Sequence, residues 1–320
     1  MSARTPDAAV TLGVLCRADE PALDLTLASL ARAADRLVAL GRPIAFAVCV
    51  NGAGPGEETA AQRAAEGFAR LRPSGEVRLI AEAKADKARA WNLVRRACSS
   101  PLVVFCDADV EVGEDALVRL VAILDARPEI LLASARQVPL LDGASFVARA
   151  AALPCRFDLG VVSGQLYAMR TDAIAAMPEG LLFEDAWLSA RLGRAALATA
   201  PDAEVRFHTA STLADYYRQR LRTEAGKIQI RRARAADPAP PSGAELADRP
   251  ARPEPIAHYP WGEMLRGLTP RDWPLLALHV TVRAVARAVA EYRVRRGRAV
   301  PWVTIRSSKP ARVAGAGVGR

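Results

Sequence analysis

The sequence predicts an α/β fold, a mostly parallel sheet with helices on both faces followed by a C-terminal helical extension. Two observations carry that prediction. Short apolar runs alternate with helix-period segments through the first 135 residues, the pattern of a sheet covered on both sides. The 320-residue chain is also 51% hydrophobic and 25% charged, enough to bury a sizeable core and unlike a disordered chain.

The elements follow in order. Residues 10–16 form an apolar strand. The helix after it places Leu23, Leu27, Leu30, Ala34 and Leu37 on one face and stops at Gly41. Residues 44–50 make the second strand, closed by the turn-prone stretch 51–56. A helix to about Leu71, a strand at 77–81, a helix from about Asp86 to Cys98, a strand at 102–106, a helix at 114–126 and a strand at 130–135 continue the alternation. Ligands of such sheets gather beyond the carboxyl ends of strands. Those ends are Cys16-Arg17, Asn51-Gly52 and Asp107-Ala108-Asp109.

From about Gln137 the alternation gives way to mixed segments, 163–170 and 183–192, and then a helical run at 213–234. Seven prolines in 236–260 mark a linker or strap. The expected units are therefore 1–234, 235–260 and 261–320. The last holds a helix from about Trp273 to Arg296, with His279, Arg283, Arg287 and Glu291 as a polar stripe. Leu275, Leu278, Val282, Val285 and Val289 lie on its other side.

Charge is distributed unevenly. The chain carries +9 net, but from Arg266 onward twelve bases face two acids, leaving 32 bases and 33 acids before it. A neutral body with a basic tail argues against a nucleic-acid reader, whose basic face sits on the main fold. It fits an anionic surface such as a membrane. The five cysteines show no metal-type spacing, and Cys16, Cys49 and Cys106 end apolar runs as small hydrophobes. The sequence reads as one without an export signal or a bilayer-spanning stretch. The expected location is either free in the cytoplasm or peripheral on the inner face of the plasma membrane.

The central motif is the apolar strand 102–106 delivering Asp107 and Asp109 at its tip. Uncompensated buried carboxylates are costly, so the pair belongs at a cleft or beside a cation. Two carboxylates at this spacing can hold Mg²⁺ or Mn²⁺ while leaving positions open to a diphosphate. The plain alternative is a turn after an edge strand. Glu184-Asp185 forms a second acidic pair, which a helix N-terminus would also favour. Gln219, Arg220 and Arg222 follow Tyr216-Tyr217, and arginines neutralise phosphate by bidentate contacts. Alone, that run also reads as a solvated basic helix.

Taken together and in this order, these elements resemble the family-2 glycosyltransferases of the GT-A fold, over roughly residues 10–232. The resemblance implies a nucleotide-sugar-binding α/β domain with a divalent cation. Asp107 and Asp109 match the family's Asp-x-Asp, and Glu184-Asp185 matches its Glu-Asp, whose aspartate is the usual base of inverting members. Residues 163–170, beginning Ser163-Gly164-Gln165, look like the acceptor-side segment. Gln219-Arg220-Leu221-Arg222 is similar to the start of Gln-x-x-Arg-Trp, and Lys87 to Asn92 to the Gly-Lys-x-x-Ala-x-Asn segment near the nucleotide. Thr223 stands where the signature has tryptophan, which argues against a processive polysaccharide synthase. Asn51 stands where many members have aspartate, which leaves the base unspecified.

On this reading the partners are a nucleoside-diphosphate sugar and a hydroxyl acceptor, a glycan, glycolipid or lipid-linked molecule, with no nucleic acid. Asp109 and Asp107 hold the metal, and His208 is either a further ligand or a structural histidine. Asp185 acts as base, with Glu184 orienting it or the acceptor. Arg17, Asn51, Lys87, Asn92, Asp107, Gln219, Arg220 and Arg222 face the donor. The alternatives are a haloacid-dehalogenase-type phosphatase, which wants its Asp-x-Asp on the first strand, and a non-catalytic membrane-associated scaffold. The terminal helix either binds a membrane interface or covers the catalytic domain.

Overall fold

The computed structural model describes residues 9–54, 58–72, 76–159, 161–236, 260–298, 300 and 305–309. The first half follows the predicted alternation. β1 (Val10–Arg17) is buried along nearly its whole length, as a strand covered on both faces must be. α1 (Leu23–Ala39) buries Leu23, Leu27, Leu30, Ala34 and Leu37, and the chain then turns at Gly41, whose φ of 74° only glycine adopts freely. β2 (Ile44–Asn51) precedes α2 (Ala60–Arg70), whose start is fixed by a capping box between Thr59 and Gln62. β3 (Val77–Glu82) leads to α3 (Lys87–Ala97), capped by the Asp86 carboxylate accepting from the Arg89 N–H. β4 (Leu102–Asp107), the short β5 (Val110–Val112) and α4 (Ala116–Ala126) complete this half.

The second half is less regular. β6 (Leu132–Pro139), α5 (Phe146–Ala152), β7 (Leu166–Arg170), α6 (Glu184–Leu192) and β8 (Leu197–Phe207) lead to the long α7 (Leu213–Ala236). The eight strands form one sheet in the order β3-β2-β1-β4-β7-β6-β8-β5. β1 to β4 are mutually parallel where they pair, β7 runs antiparallel between β4 and β6, and β8 returns parallel to β6. The register sets Leu15 opposite Asp107 and Arg17 opposite Asn51, so the carboxyl ends of three neighbouring strands lie side by side. The predicted strand at 130–135 starts two residues later and runs on to Pro139. The mixed segment at 163–170 contains β7, whose first four residues are buried and so show no alternation.

The core has two main bodies, one on each sheet face. Val10, Leu12 and Val14 pack against α1 and α4, while Leu15, Trp91, Phe105 and Tyr167 lie on the α3 and α6 side. Trp91 stacks on Phe105 at 4.8 Å and donates its indole N–H to the Tyr167 oxygen at 2.8 Å. The stack fills the space behind the tip of β4. Burying three rings there contributes several kcal/mol, at roughly 25 cal/mol per Å² of apolar surface.

The extension contains α8 (Trp261–Gly267) and α9 (Trp273–Arg295). The Pro-rich segment falls at 237–259, outside the described residues. α9 corrects the predicted stripe: its buried face is Leu276, His279, Val282, Ala286 and Ala290. His279 is fully buried, and Arg283 turns inward to the Glu224 carboxylate of α7 at 3.2 Å, whereas Val285 is exposed. A charge-paired inner face explains why hydropathy alone misplaced it. A second correction concerns bilayer-spanning length. Pro270–Arg295 is long and apolar enough to cross a membrane by length and composition alone, and most of its apolar stretch is not buried against the rest of the fold.

His279 gives this packing a pH dependence. Its Nδ1 meets the Tyr216 hydroxyl at 2.5 Å. Burial, with the positive charges of Arg220, Arg283 and Lys227, pulls the imidazole down to about 3 against a hydrogen bond to the Ala150 carbonyl. Glu224 faces the same cluster and pairs with Lys227 and Arg283. The unfolded chain therefore takes up this proton first, so stability is full above the ordinary histidine value of 6.5 and is lost as pH falls below it. The melting temperature should drop steeply from pH 6.5 to pH 5 and flatten in His279→Asn, as read by thermal unfolding across pH.

Candidate active site

A cleft of about 590 Å³ opens at the carboxyl ends of β1, β2 and β4. The register of the parallel strands makes it, because β4 ends in Asp107 while its neighbours end in Arg17 and Asn51. The Asp107 amide donates to the Gln165 carbonyl at 2.9 Å, which ties the β4 tip to the loop before β7. Just beyond it, Thr26 and Ser29 of α1 hydrogen-bond the backbone of Val110 and Val112, fixing the chain that carries Asp109.

The charges are arranged around Lys87. Its ammonium lies 2.7 Å from an Asp107 oxygen. A lysine in the first turn of a helix faces an unfavourable dipole, so its place at the start of α3 needs nearby carboxylates. Burial opposes its charge, but Asp107, Glu184 and Asp185 together outweigh that and hold it protonated far above the lysine range. Burial lifts the Asp107 carboxyl to about 6, with Asp109 and Asp185 adding repulsion and Lys87 pulling the other way. Burial likewise raises Glu184, against Lys87 and Arg222.

Glu184 and Asp185 occupy the first turn of α6, where the helix dipole favours negative charge. Asp185 is pressed against Gly164: a Cβ on that residue would stand 2.4 Å from the Asp185 carboxyl carbon. Only glycine leaves room for the carboxylate there. Ser189 donates to the Asp185 carbonyl at 2.7 Å and accepts from the Val162 amide at 3.0 Å, holding loop and helix together. Ser163 Oγ and Glu184 Oε1 are buried polar atoms with no hydrogen-bond partner among the described residues. Such atoms at a cleft are poised for a ligand.

The cleft brings together nearly every residue singled out in the sequence. Arg17, Asn51, Lys87, Asp107, Asp109, Ser163, Gly164 and Gln165 line it, with Glu184, Asp185, His208, Gln219, Arg220 and Arg222. Asn51 donates to the Cys16 carbonyl at 2.8 Å, and its buried Oδ1 has no hydrogen-bond partner among the described residues. Arg17 pairs with Asp19 at 2.9 Å. One residue is misplaced: Asn92 is not in the cleft. It exchanges two 2.7 Å hydrogen bonds with the backbone of Met177 and so clamps α3 to the loop before α6. An amide in a buried helix face satisfies itself on backbone, which spacing alone does not distinguish from ligand contact.

Glu20 and Lys309 are among the cleft residues that were not singled out. Glu20 is 5% exposed on its side chain, and Lys309 reaches in from the C-terminal segment to lie 2.6 Å from Asp109 while also pairing with Glu20. The donor chemistry of Asp107 and Asp109 fits a hard cation, and the Lys309 ammonium marks a cation position on Asp109. Among the described residues no three histidine, cysteine, aspartate or glutamate side chains are grouped closely enough to hold an ion. The remaining ligands of a metal would then be phosphate and water oxygens, the usual arrangement for magnesium.

Residues 20–157 match the model of glycosyl transferase family 2. None of the curated proteins matches the sequence. Among solved structures, the chain is similar to a mannosyltransferase from Pyrobaculum calidifontis solved with GDP-Man and Mn²⁺. The identity is 18% over 92% of this chain and 80% of that one, with a TM-score of 0.52. It is also similar to mannosyl-3-phosphoglycerate synthase from Rubrobacter xylanophilus, at 14% identity over 71% and 75% of the chains and a TM-score of 0.49. A third is glucosyl-3-phosphoglycerate synthase from Mycobacterium tuberculosis with Mg²⁺ and UDP, at 16% identity over 70% and 79% and a TM-score of 0.48. The fold likeness and the matched segment, which carries the β4 carboxylates, argue against the haloacid-dehalogenase-type phosphatase. The chain has the GT-A fold, and its residues 20–157 match glycosyl transferase family 2.

Proposed function

We propose that this enzyme moves a sugar from a nucleoside diphosphate to a hydroxyl acceptor with inversion, assisted by a divalent cation. The observation that carries the reading is the gathering of Asp107, Glu184 and Asp185 around Lys87 in one cleft. Single displacement needs a base beside the acceptor and positive charge beside the departing diphosphate. Asp185, fixed against Gly164 and backed by Ser189, takes the acceptor proton. Glu184 orients it or the acceptor, next to Ser163 and Gln165. Lys87, Arg220 and Arg222 present positive charge to the diphosphate, and Arg17 and the buried Asn51 Oδ1 face the nucleoside. Asp109 and Asp107 would hold Mg²⁺ or Mn²⁺, which supplies Lewis-acid neutralisation of the leaving group; His208 lines the cleft but forms no three-residue ligand group with them among the described residues.

A panel of nucleotide sugars tests this. Binding and hydrolysis of one or more of them, dependent on Mn²⁺ or Mg²⁺, is the expected result. Release of phosphate from simple monoesters without any nucleotide-sugar turnover would overturn it.

The same reading puts the 1–234 body in the role of catalytic domain, joined through 235–260 to a basic extension that meets the cytoplasmic face of a membrane. Its acceptor is then membrane-associated, a glycolipid or lipid-linked glycan of the cell envelope. Trp261, Trp273, Val285 and Tyr292 are exposed on the extension. Arg293, Arg295, Arg296 and Arg298 cluster at the end of α9. Aromatic and basic side chains in this combination suit an anionic interface. The full-length protein should float with phosphatidylglycerol-rich liposomes at low salt and leave them at high salt. Failure to bind at low salt would remove the membrane assignment.

A further inference from the structure

Asp109 already has a cation on it. The Lys309 ammonium lies 2.6 Å from Asp109 Oδ2 and also pairs with the Glu20 carboxylate. The lysine side chain is 14% exposed, so this is no loose surface pair. Its segment is anchored apart from that contact. The Ser307 amide donates to Asp215 Oδ2 at 2.9 Å, and Ser211 donates to the Ser307 carbonyl at 3.1 Å. Ile305 packs beside Tyr216 and Val282, joining the segment to α7 and α9. The backbone thus fixes where the lysine enters, and its flexible stem decides what the ammonium touches.

A magnesium ion binds a carboxylate oxygen at about 2.0–2.1 Å. An ammonium on the same oxygen fills that volume, and two cations so close repel strongly in a partly buried site. Glu20 offers the lysine a second partner away from the strand tip, so the charge need not be left bare when Asp109 is taken. Its carboxylate also accepts from the Ala22 amide at 3.1 Å, which holds it in place at the start of α1.

We propose that Lys309 is the resident cation of the donor site, and that a divalent ion arriving with the nucleoside diphosphate displaces it from Asp109 onto Glu20 alone. This rests on the glycosyl-transfer reading and adds a competition to it. The lysine neutralises the empty site, keeps it from binding free metal, and makes metal entry depend on the diphosphate that completes the ion's shell.

The test is Mn²⁺ binding to the full chain without nucleotide, followed by electron paramagnetic resonance of the free ion. Lys309→Met keeps the stem and removes the charge, and should bind Mn²⁺ roughly tenfold or more tightly than the wild type. Lys309→Arg should stay near wild type, and adding Asp109→Asn to Lys309→Met should abolish the gain. An unchanged or weaker Mn²⁺ affinity in folded Lys309→Met would overturn the proposal. In the wild type, reductive methylation of Lys309, read by mass spectrometry, should quicken several-fold when Mn²⁺ and UDP or GDP are added together. A rate that does not change under saturating nucleotide would also count against displacement. Nucleotide-sugar turnover by the wild type beside an unaltered Mn²⁺ affinity in the methionine variant sinks this competition alone. Absence of any nucleotide-sugar binding in both proteins sinks the underlying reading.

Discussion

Asp185→Asn is expected to lower turnover about 10³-fold while leaving donor affinity within a few-fold of the wild type. The amide is isosteric with the carboxylate, so it fits the space beside Gly164 and keeps the Ser189 contacts, which involve the Asp185 backbone. What it lacks is the capacity to take a proton. Loss in kcat with little change in donor Kd, measured by calorimetry and steady-state kinetics, separates a base from a binding residue. Normal turnover in the asparagine variant would remove Asp185 from the mechanism.

Lys87→Met is expected to cost more than activity. It leaves Asp107 buried beside Glu184 and Asp185 with their shared counter-charge gone. Breaking a buried pair from one side destabilises by about 3–5 kcal/mol, and the side chain here is 18% exposed, so the lower end applies. The pH dependence has a definite sign. Asp107 already sits near 6 with Lys87 present, above its ordinary value of 3.8, so the native state holds this proton more tightly than the unfolded chain. Its contribution to stability therefore falls as pH rises through that window. Removing Lys87 pushes the carboxyl higher and widens the window upward. The variant should be most destabilised near pH 7 and recover toward pH 5, as followed by urea unfolding at each pH. A deficit that is constant across that range would mean the loss is packing and not charge.

Much of this was legible before any coordinates. The carboxyl ends of β1, β2 and β4 were named from apolar runs, because a strand buried on both faces writes itself as consecutive hydrophobic residues. Asp107, Asp109, Glu184 and Asp185 were found by motif, and the fold places all four on one cleft. The sheet's second half was harder to read. β8 is partly exposed, contains Pro201, and shifts register between Ala135 and Arg136, so it carries neither clean alternation nor a continuous apolar run. Asn92 was misplaced because ligand amides and backbone-clamping amides look alike in sequence. His279 and Arg283 read in sequence as part of one polar stripe, yet Tyr216 and Glu224 satisfy them inside. The pairing of Glu20 and Asp109 with Lys309 escaped notice for a different reason. It is a contact between distant parts of the chain, and no local spacing encodes it.

That contact has a consequence for how the enzyme comes into being. Lys309 and Asp109 lie 200 positions apart. Domains acquire structure from the N-terminus as synthesis proceeds, and closing so long a loop is entropically slow unless the intervening body has already condensed. A nascent chain can therefore assemble its sheet long before this lysine leaves the ribosome. Its carboxylates would meet cellular magnesium first, and the chain's own ammonium would come last.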